Sequence, residues 1–144
     1  MSTEENKAVM LRFIEAVNDW NPDKLRGIVD VDNYIENNPA WGAINFEAAV
    51  QTYEMIRAAM PDVRFDPDTD IMVAEGDKVA ARGTVSGTHT GGELFGVPLS
   101  GKKLTWTGID VVRIADGKIV ERWLCADIMS LMQQLGVIPP PGEE

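Results

Sequence analysis

Residues 108–127, GIDVVRIADGKIVERWLCAD, predict a β-hairpin with charged residues inside otherwise apolar strands. Asp116 and Gly117 form its tip, because glycine suits the left-handed backbone position that such a turn requires. A three-residue loop followed by a bulge would pair Asp110 with Arg122 across the strands. A two-residue turn would instead shift the register by one residue and separate these two side chains. We favour the bulged loop, which makes Asp110 and Arg122 a cross-strand ion pair.

Both faces of the predicted hairpin are rich in apolar residues. Side chains alternate along a strand, so Trp106, Val112 and Leu124 border the ion pair on one face. The other face carries Ile109, Val111, Ile119 and Trp123. Two apolar faces predict cover on both sides, by the chain's helices on one and by another subunit on the other. The ion pair is then either a structural pair or a polar anchor in a concave pocket.

Helix signals lie on both sides of the strand-rich region. Ser2, with Glu5 three residues later, starts a first helix whose apolar pattern runs to Trp20. Asn21 before Pro22 starts a short second helix. Further N-caps at residues 45 and 127 predict a third helix and a C-terminal one.

Between these helices the apolar period changes from 3.6 to two. Residues 34–43, NYIENNPAWG, are extended or looped, and strands follow over 63–74 (broken at Pro67), 78–90, 102–114 and 118–126. Helices followed by long antiparallel strands indicate an α+β fold with the helices on one sheet face. We expect one domain over residues 1–138 and a flexible tail over residues 139–144.

Composition excludes several classes of function. The 144 residues include 13 basic and 23 acidic ones, a net charge of −10, which disfavours nucleic acid and anionic membranes as partners. Cys125 is the single cysteine, so an intrachain disulfide is excluded. The N-terminus is unlike a signal peptide, and no apolar run approaches a membrane span of about 20 residues. We expect a cytoplasmic protein that needs neither a metal nor another cofactor, because no nucleotide or zinc motif occurs.

His89 is the only histidine and lies where a strand enters a glycine-rich loop. Its strand parity allows it to face the pocket as an acid or base. It can equally fix the strand end by hydrogen bonding to the loop. The residues predicted to line a hydrophobic small-molecule pocket are Phe13, Trp41, Phe95, Trp106 and Leu124.

Four stretches in this order, AAMPDVRF, VAEGDKVAARGTVSGTHTG, LFGVPLSGKKLTWTGIDVVRIADGKIVERW and QQLGV, resemble the SnoaL-like polyketide cyclases of the nuclear-transport-factor-2-like superfamily. The resemblance implies a cone-shaped, curved antiparallel sheet, with three N-terminal helices and a short C-terminal helix, that encloses a hydrophobic pocket. It also implies a homodimer or homotetramer joined through the sheet.

The resemblance further implies an intramolecular aldol cyclisation of a polyketide ester without a cofactor. The catalytic aspartate of those cyclases follows the tryptophan of an EHWD-type segment. Here that segment reads ERWL, so Leu124 replaces the aspartate and Arg122 replaces the histidine. Asp110 is the acid left on the pocket face, and we expect it to act as the base, with Arg122 or His89 supporting an enolate.

Three functions remain open from the sequence. The first is this cyclase-, isomerase- or lyase-type enzyme, although a neighbouring arginine lowers the pKa of an aspartate and weakens it as a base. The second resembles the limonene-type epoxide hydrolases and hydratases of the same superfamily, which need a second carboxylate that Leu124 does not supply. The third is a protein that binds a hydrophobic small molecule without catalysis.

Overall fold

Four helices and a seven-stranded sheet make up residues 1–142, which the computed structural model describes. The helices are α1 (Thr3–Asn18), α2 (Pro22–Ile28), α3 (Phe46–Ala59) and α4 (Ile128–Gln134), with a 3-10 turn at Thr69–Ile71. The strands are β1 (Ile35–Asn38), β2 (Gly42–Ile44), β3 (Arg64–Pro67), β4 (Val73–Glu75), β5 (Lys78–Thr88), β6 (Lys103–Ala115) and β7 (Lys118–Ala126). The predicted α+β class is confirmed. Residues 143 and 144 of the predicted tail lie outside the described residues.

The helix ends follow the predicted capping residues. Ser2, Asn21, Asn45 and Asp127 each accept a hydrogen bond from a backbone N–H in the first turn of the helix that follows. The first helix ends at Asn18, two residues before the predicted Trp20. The Asn18 side chain instead bonds both backbone groups of Phe65 at 2.8 Å, which fastens the end of α1 to β3. None of the four described helices is long and apolar enough to cross a membrane.

The sheet is mixed rather than wholly antiparallel. Its strand order is β2-β1-β7-β6-β5-β3, and β4 pairs with the same edge of β5 as β3 does. All pairings are antiparallel except that of β1 with β7. A mostly antiparallel sheet is what the sequence predicts, and the one parallel pairing arises because residues 34–43, expected to be extended or looped, form a hairpin that docks beside the last strand of the sheet. This pairing places Glu36 opposite Arg122.

The β6–β7 hairpin has a register that differs from the prediction. Its tip is a two-residue turn in which Asp116 and Gly117 both have positive φ, 51° and 76°. A bulge follows, since the pairing shifts between Ile114 and Arg113 and leaves one extra residue on β7. Asp110 therefore pairs with Leu124, so the predicted pairing of Asp110 with Arg122 is wrong by two residues. A shift of two keeps Asp110 and Arg122 on the same face.

Because of the bulge, the outer face of the sheet also differs from the prediction. Ile119, expected beside Trp123, pairs with Ile114 and is fully buried in the core. Ile109 and Trp123 do lie outward, where they are 54% and 37% exposed. The helices pack on the opposite face, where the side chains of α1 and α3 meet the sheet. The site described below lies between these helices and the inner face of the sheet.

Candidate functional site

A cavity of about 120 Å³ lies between the helices and the inner sheet face. The structure places all five residues that were predicted to line a pocket in its wall: Phe13, Trp41, Phe95, Trp106 and Leu124. Most of the remaining wall is apolar, with side chains such as Val17 and Ile56. Three of the charged residues that line it, Asp110, Arg122 and Glu36, belong to one buried cluster.

Arg122 lies at the centre of this cluster and is 6% exposed. Its Nε and Nη2 donate hydrogen bonds to Asp110 Oδ2, over 2.9 and 2.5 Å. Its Nη1 donates to Glu36 Oε2 over 3.0 Å and to the Tyr53 hydroxyl over 2.6 Å. The guanidinium also lies over the Phe13 ring, 5.4 Å from its centroid. Aromatic stacking and two carboxylates together fix the plane of the arginine.

Glu36 is the functional candidate that the sequence reading missed. Only 1% of this residue is exposed, and its Oε2 accepts hydrogen bonds from Tyr34 (2.9 Å), Tyr53 (3.0 Å) and Arg122 (3.0 Å). The prediction that Asp110 is the only carboxylate on the pocket face is therefore wrong. A glutamate at alternate spacing with Tyr34 in residues 34–38, YIENN, was the available signal. Its meaning depended on the parallel pairing of β1 with β7, which a local pattern does not reveal.

Burial is the main cause of the raised pKa values of the aspartate and the two tyrosines in the cluster. It raises the pKa of Asp110 above the ordinary aspartate value, although Arg122 acts in the opposite direction. The expected lowering by Arg122 is present, but the cost of removing the carboxylate from water outweighs it. Burial also raises the pKa of Tyr34 and of Tyr53, which keeps both hydroxyls protonated as donors. The pKa of Arg122 is raised, because Asp110 and other neighbours outweigh the lowering effect of burial.

Asp110 lines the cavity with one of its two carboxylate oxygens bonded to Arg122. Both hydrogen bonds from Arg122 end on Oδ2, and Oδ1 has no hydrogen-bond partner among the described residues. The side chain is 16% exposed, and the residue lines the cavity wall. Leu124, its direct cross-strand partner, lines the same wall. The position at which the resemblance expects a carboxylate is thus apolar and next to Asp110.

His89 lies apart from the other two predicted catalytic residues. It is fully buried but does not line the cavity. Its Nδ1 lies 2.9 Å from Ser100 Oγ, and its Nε2 bonds the carbonyl oxygen of Gly92. Its backbone also bonds Gly101 and Lys102, across the base of the loop. The geometry corrects the catalytic prediction for His89 and agrees with the alternative, in which it fixes the strand end to the loop.

That loop carries one half of an aromatic pair at the cavity. Phe95 stacks on Trp41 of the β1–β2 turn, with ring centroids 5.8 Å apart and an angle of 27° between the planes. Phe95 has a left-handed φ of 48° and lies at the tip of a tight turn in which Leu94 and Val97 exchange two backbone hydrogen bonds. Leu94 is fully buried and anchors the turn. The loop thus holds the backbone of Phe95 in a conformation that residues other than glycine rarely adopt.

The fold and the site define an α+β protein of the nuclear-transport-factor-2-like type, with an ionic cluster in its apolar cavity. The model of the SnoaL-like polyketide cyclase family matches residues 7–135, so the chain belongs to this family. A comparison with curated proteins gave no match.

Solved structures support the same assignment. AclR from Streptomyces galilaeus, described as a hydroxylase candidate, is 28% identical with a TM-score of 0.86, over 99% of this chain and 87% of AclR. TsrD from Streptomyces laurentii is also 28% identical, with a TM-score of 0.82 over 96% and 99% of the two chains. IdmH from Streptomyces antibioticus, a polyketide cyclase candidate, is 26% identical, with a TM-score of 0.80 over 91% and 98%. The descriptions name two different reactions, so the relatives do not select one.

Proposed function

We propose that this protein catalyses proton transfer on a hydrophobic carbonyl compound, as a cyclase-, isomerase- or lyase-type enzyme in which Asp110 is the base. The observation that carries the proposal is the Asp110 carboxylate, which is mostly buried, lies at the wall of an apolar cavity and keeps Oδ1 without a partner among the described residues. A raised pKa makes an aspartate a stronger base than it is in water. Membership of the SnoaL-like family supports the same class of chemistry.

The proposed reaction begins at a carbon next to a carbonyl group. Asp110 Oδ1 takes the proton from that carbon, and the electron pair of the broken C–H bond forms an enolate. The positive charge of Arg122 stabilises the enolate oxygen, because charges interact strongly where water is excluded. In a cyclisation the enolate carbon attacks a second carbonyl of the same molecule, and the new alkoxide receives the proton from Asp110. Substrate and product are isomers, and the reaction consumes no other reagent.

The test is proton exchange at an acidic carbon, which needs no knowledge of the natural substrate. Aromatic β-keto esters are incubated with the protein in D₂O, and the loss of the α-proton signal is followed by NMR. Asp110→Asn keeps the shape of the side chain but removes the base, so we expect the exchange rate to fall about 10²–10⁴-fold. Asp116→Asn is the matched control, because an asparagine-glycine pair suits the same hairpin turn. Unchanged exchange in a folded Asp110→Asn protein would contradict the proposal.

A second candidate function is water addition to an epoxide or an activated double bond. Glu36 favours it specifically, since it supplies the second carboxylate that this chemistry needs and that Leu124 does not provide. Epoxide probes in H₂¹⁸O distinguish the two candidates. A hydrolase places ¹⁸O in the product, whereas a cyclase or isomerase does not. Tight binding of these probes without either reaction would indicate the third possibility, a binding protein.

A further inference from the structure

Two carboxylates hold Arg122 from opposite sides. Asp110 on β6 bonds its Nε and Nη2, and Glu36 on β1 bonds its Nη1. The sheet produces this arrangement directly, because β7 lies between β1 and β6. Glu36 is the Cα partner of Arg122, whereas Asp110 reaches Arg122 diagonally. The two carboxylates thus reach the same guanidinium from different strands and from different register positions.

Glu36 is held more firmly than Asp110. Three donors, from Tyr34, Tyr53 and Arg122, converge on one of its oxygen atoms. Within residues 1–142, Asp110 receives hydrogen bonds from Arg122 alone. A side chain fixed by three donors is suited to holding a neighbour in place, and a side chain with a free oxygen is suited to reacting.

The charges of the cluster lead to the same division. An arginine paired with a single buried carboxylate compensates that carboxylate fully and holds it in the ionised form. A second carboxylate on the same arginine leaves the group with one negative charge in excess when both acids are ionised. Glu36 adds to burial in raising the pKa of Asp110, and Arg122 opposes them. Glu36 therefore offsets the lowering of the Asp110 pKa by Arg122, which would make Asp110 a weak base.

The groups around Asp110 come from several elements. Arg122 belongs to β7, Glu36 to β1 and Tyr53 to α3, and the Tyr34 hydroxyl reaches the cluster through Glu36. On β5 the Cα partner of Asp110 is Ala81, which carries no charge. From α1 the cluster meets the uncharged ring of Phe13.

We propose that Glu36 is a positioning residue, which orients Arg122 and offsets part of its charge so that Asp110 remains free to accept a proton. This role rests on the proposed function of Asp110 as the base. It also assigns a chemical purpose to Tyr34 and Tyr53, which hold Glu36 but do not donate to Asp110. The second carboxylate of the site then comes from β1, while the β7 position next to Asp110 is occupied by Leu124.

The experiment measures the protonation of Asp110 directly. The carboxyl carbons of ¹³C-labelled protein are followed by NMR as the pH changes, and Asp110→Asn identifies the Asp110 signal. Glu36→Gln keeps the size of the side chain and an oxygen acceptor for both tyrosines, but removes the charge. We expect the midpoint of the Asp110 titration to fall by about one pH unit, a roughly tenfold weaker hold on the proton. An unchanged or higher midpoint would overturn the proposal.

Two controls separate this effect from a general loss of charge or of structure. Glu121→Gln removes the same charge one residue from Arg122, where the glutamate bonds Arg113 and Asn37 instead, and should leave the midpoint unchanged. Glu36→Asp keeps the charge and should restore most of the wild-type midpoint. An equal shift in the Glu121→Gln protein would count against a specific role for Glu36.

The wild-type protein provides a test that does not depend on the folding of any variant. Because burial and Glu36 both raise the pKa of Asp110, the midpoint of its titration in the wild-type protein should lie above about 4, the ordinary value for aspartate. A midpoint at or below that value would contradict the proposal. These measurements need no substrate, so the proton-exchange assay can fail while they succeed, and the reverse also holds.

Discussion

At the scale of the residue, Leu124 distinguishes this chain from the pattern of the family that it resembles. Leu124 pairs directly with Asp110 and lines the same cavity, so the two candidate positions for a carboxylate are cross-strand neighbours. The chain fills one position with an acid and the other with an apolar side chain. This choice avoids two like charges facing each other in a buried site.

Leu124→Asp tests what the apolar residue does. We expect the variant to gain aldol cyclase activity toward the polyketide esters that the EHWD-type cyclases use, for which the wild-type protein should show little or none. We also expect a loss of stability of roughly 1–3 kcal/mol, because a charge enters a buried site beside Asp110. Product analysis by mass-resolved chromatography and urea denaturation measure the two effects. Leu124→Asn is the matched control, and equal activity in both variants would show that the new carboxylate is not the cause.

The dependence on pH follows from the raised pKa of Asp110. A base acts in its ionised form, so activity should rise with pH through this pKa. The acidic limb of the rate profile should therefore lie above about pH 4, the ordinary value for aspartate. An acidic limb at or below that value would contradict Asp110 as the base.

The contribution of Asp110 to the free energy of unfolding should fall as the pH rises, whereas the activity should increase. A folded-state pKa above the unfolded one means that the folded protein holds the proton more tightly. The contribution of Asp110 is then most favourable below its unfolded pKa and is lost as the pH rises through the folded one. Comparison of Asp110→Asn with the wild-type protein by urea denaturation across this range isolates the effect. Glu36 still pairs with Arg122 in that variant, so the loss should stay below the approximately 3–5 kcal/mol typical of a stranded buried charge.

At the scale of the element, the loop over residues 89–101 positions Phe95 against Trp41. His89 joins two points of this loop, Ser100 and Gly92, from a fully buried position. A buried ring with both nitrogen atoms bonded acts as a crosslink inside the loop, because its removal leaves polar partners without hydrogen bonds.

His89→Ala should loosen this loop without removing the base. We expect a loss of stability of about 1–3 kcal/mol, because two buried hydrogen bonds disappear. Amide hydrogen exchange over residues 89–101 should become faster, and the proton-exchange activity should fall far less than in Asp110→Asn. The exposed Thr90→Ala serves as the control for a change at the same strand end. An activity loss in His89→Ala equal to that of Asp110→Asn would return His89 to a catalytic role.

The helix caps and the strands show how much of the site can be predicted from the sequence. Capping residues such as Asn21 and Asp127 act over three residues, and the helices begin where they predict. Asp110 and Arg122 were placed on one face because strand alternation is also local. Glu36 was missed because its place beside Arg122 depends on two strands 86 residues apart in sequence. The net rise in the pKa of Asp110 was not predicted for a related reason, since burial is a property of the whole fold.

At the scale of the whole molecule, the outer face of the sheet remains uncovered in the described part of the chain. Ile109 and Trp123 are substantially exposed, and a groove beside them is lined by Val111, Cys125 and residues of the β1–β2 hairpin. An apolar surface of this kind is uncommon on a monomer. We propose a second copy of the chain as its cover, because a self-complementary apolar face forms a two-fold dimer without another partner.

Ile109→Asp tests this assembly. Ile109 is 54% exposed in the single chain, so the variant should fold, yet a buried charge at the interface should shift the protein from dimer to monomer. Sedimentation velocity at micromolar concentration measures the change. Leu99→Asp introduces the same charge at an exposed residue outside this face and should leave the mass unchanged. A monomeric wild-type protein would contradict the proposal.

The extra residue that the bulge adds to β7 gives the hairpin one residue of slack. Deletion of Val120 would remove the bulge but keep the pairs on both sides of it, so Arg122 would stay on the cavity face. Deletion of Val120 and Glu121 together would leave no spare residue, and the next side chains would change face, with Arg122 on the outer face and Trp123 on the cavity face. The site is therefore expected to tolerate the loss of one residue from this strand at the bulge and not the loss of two.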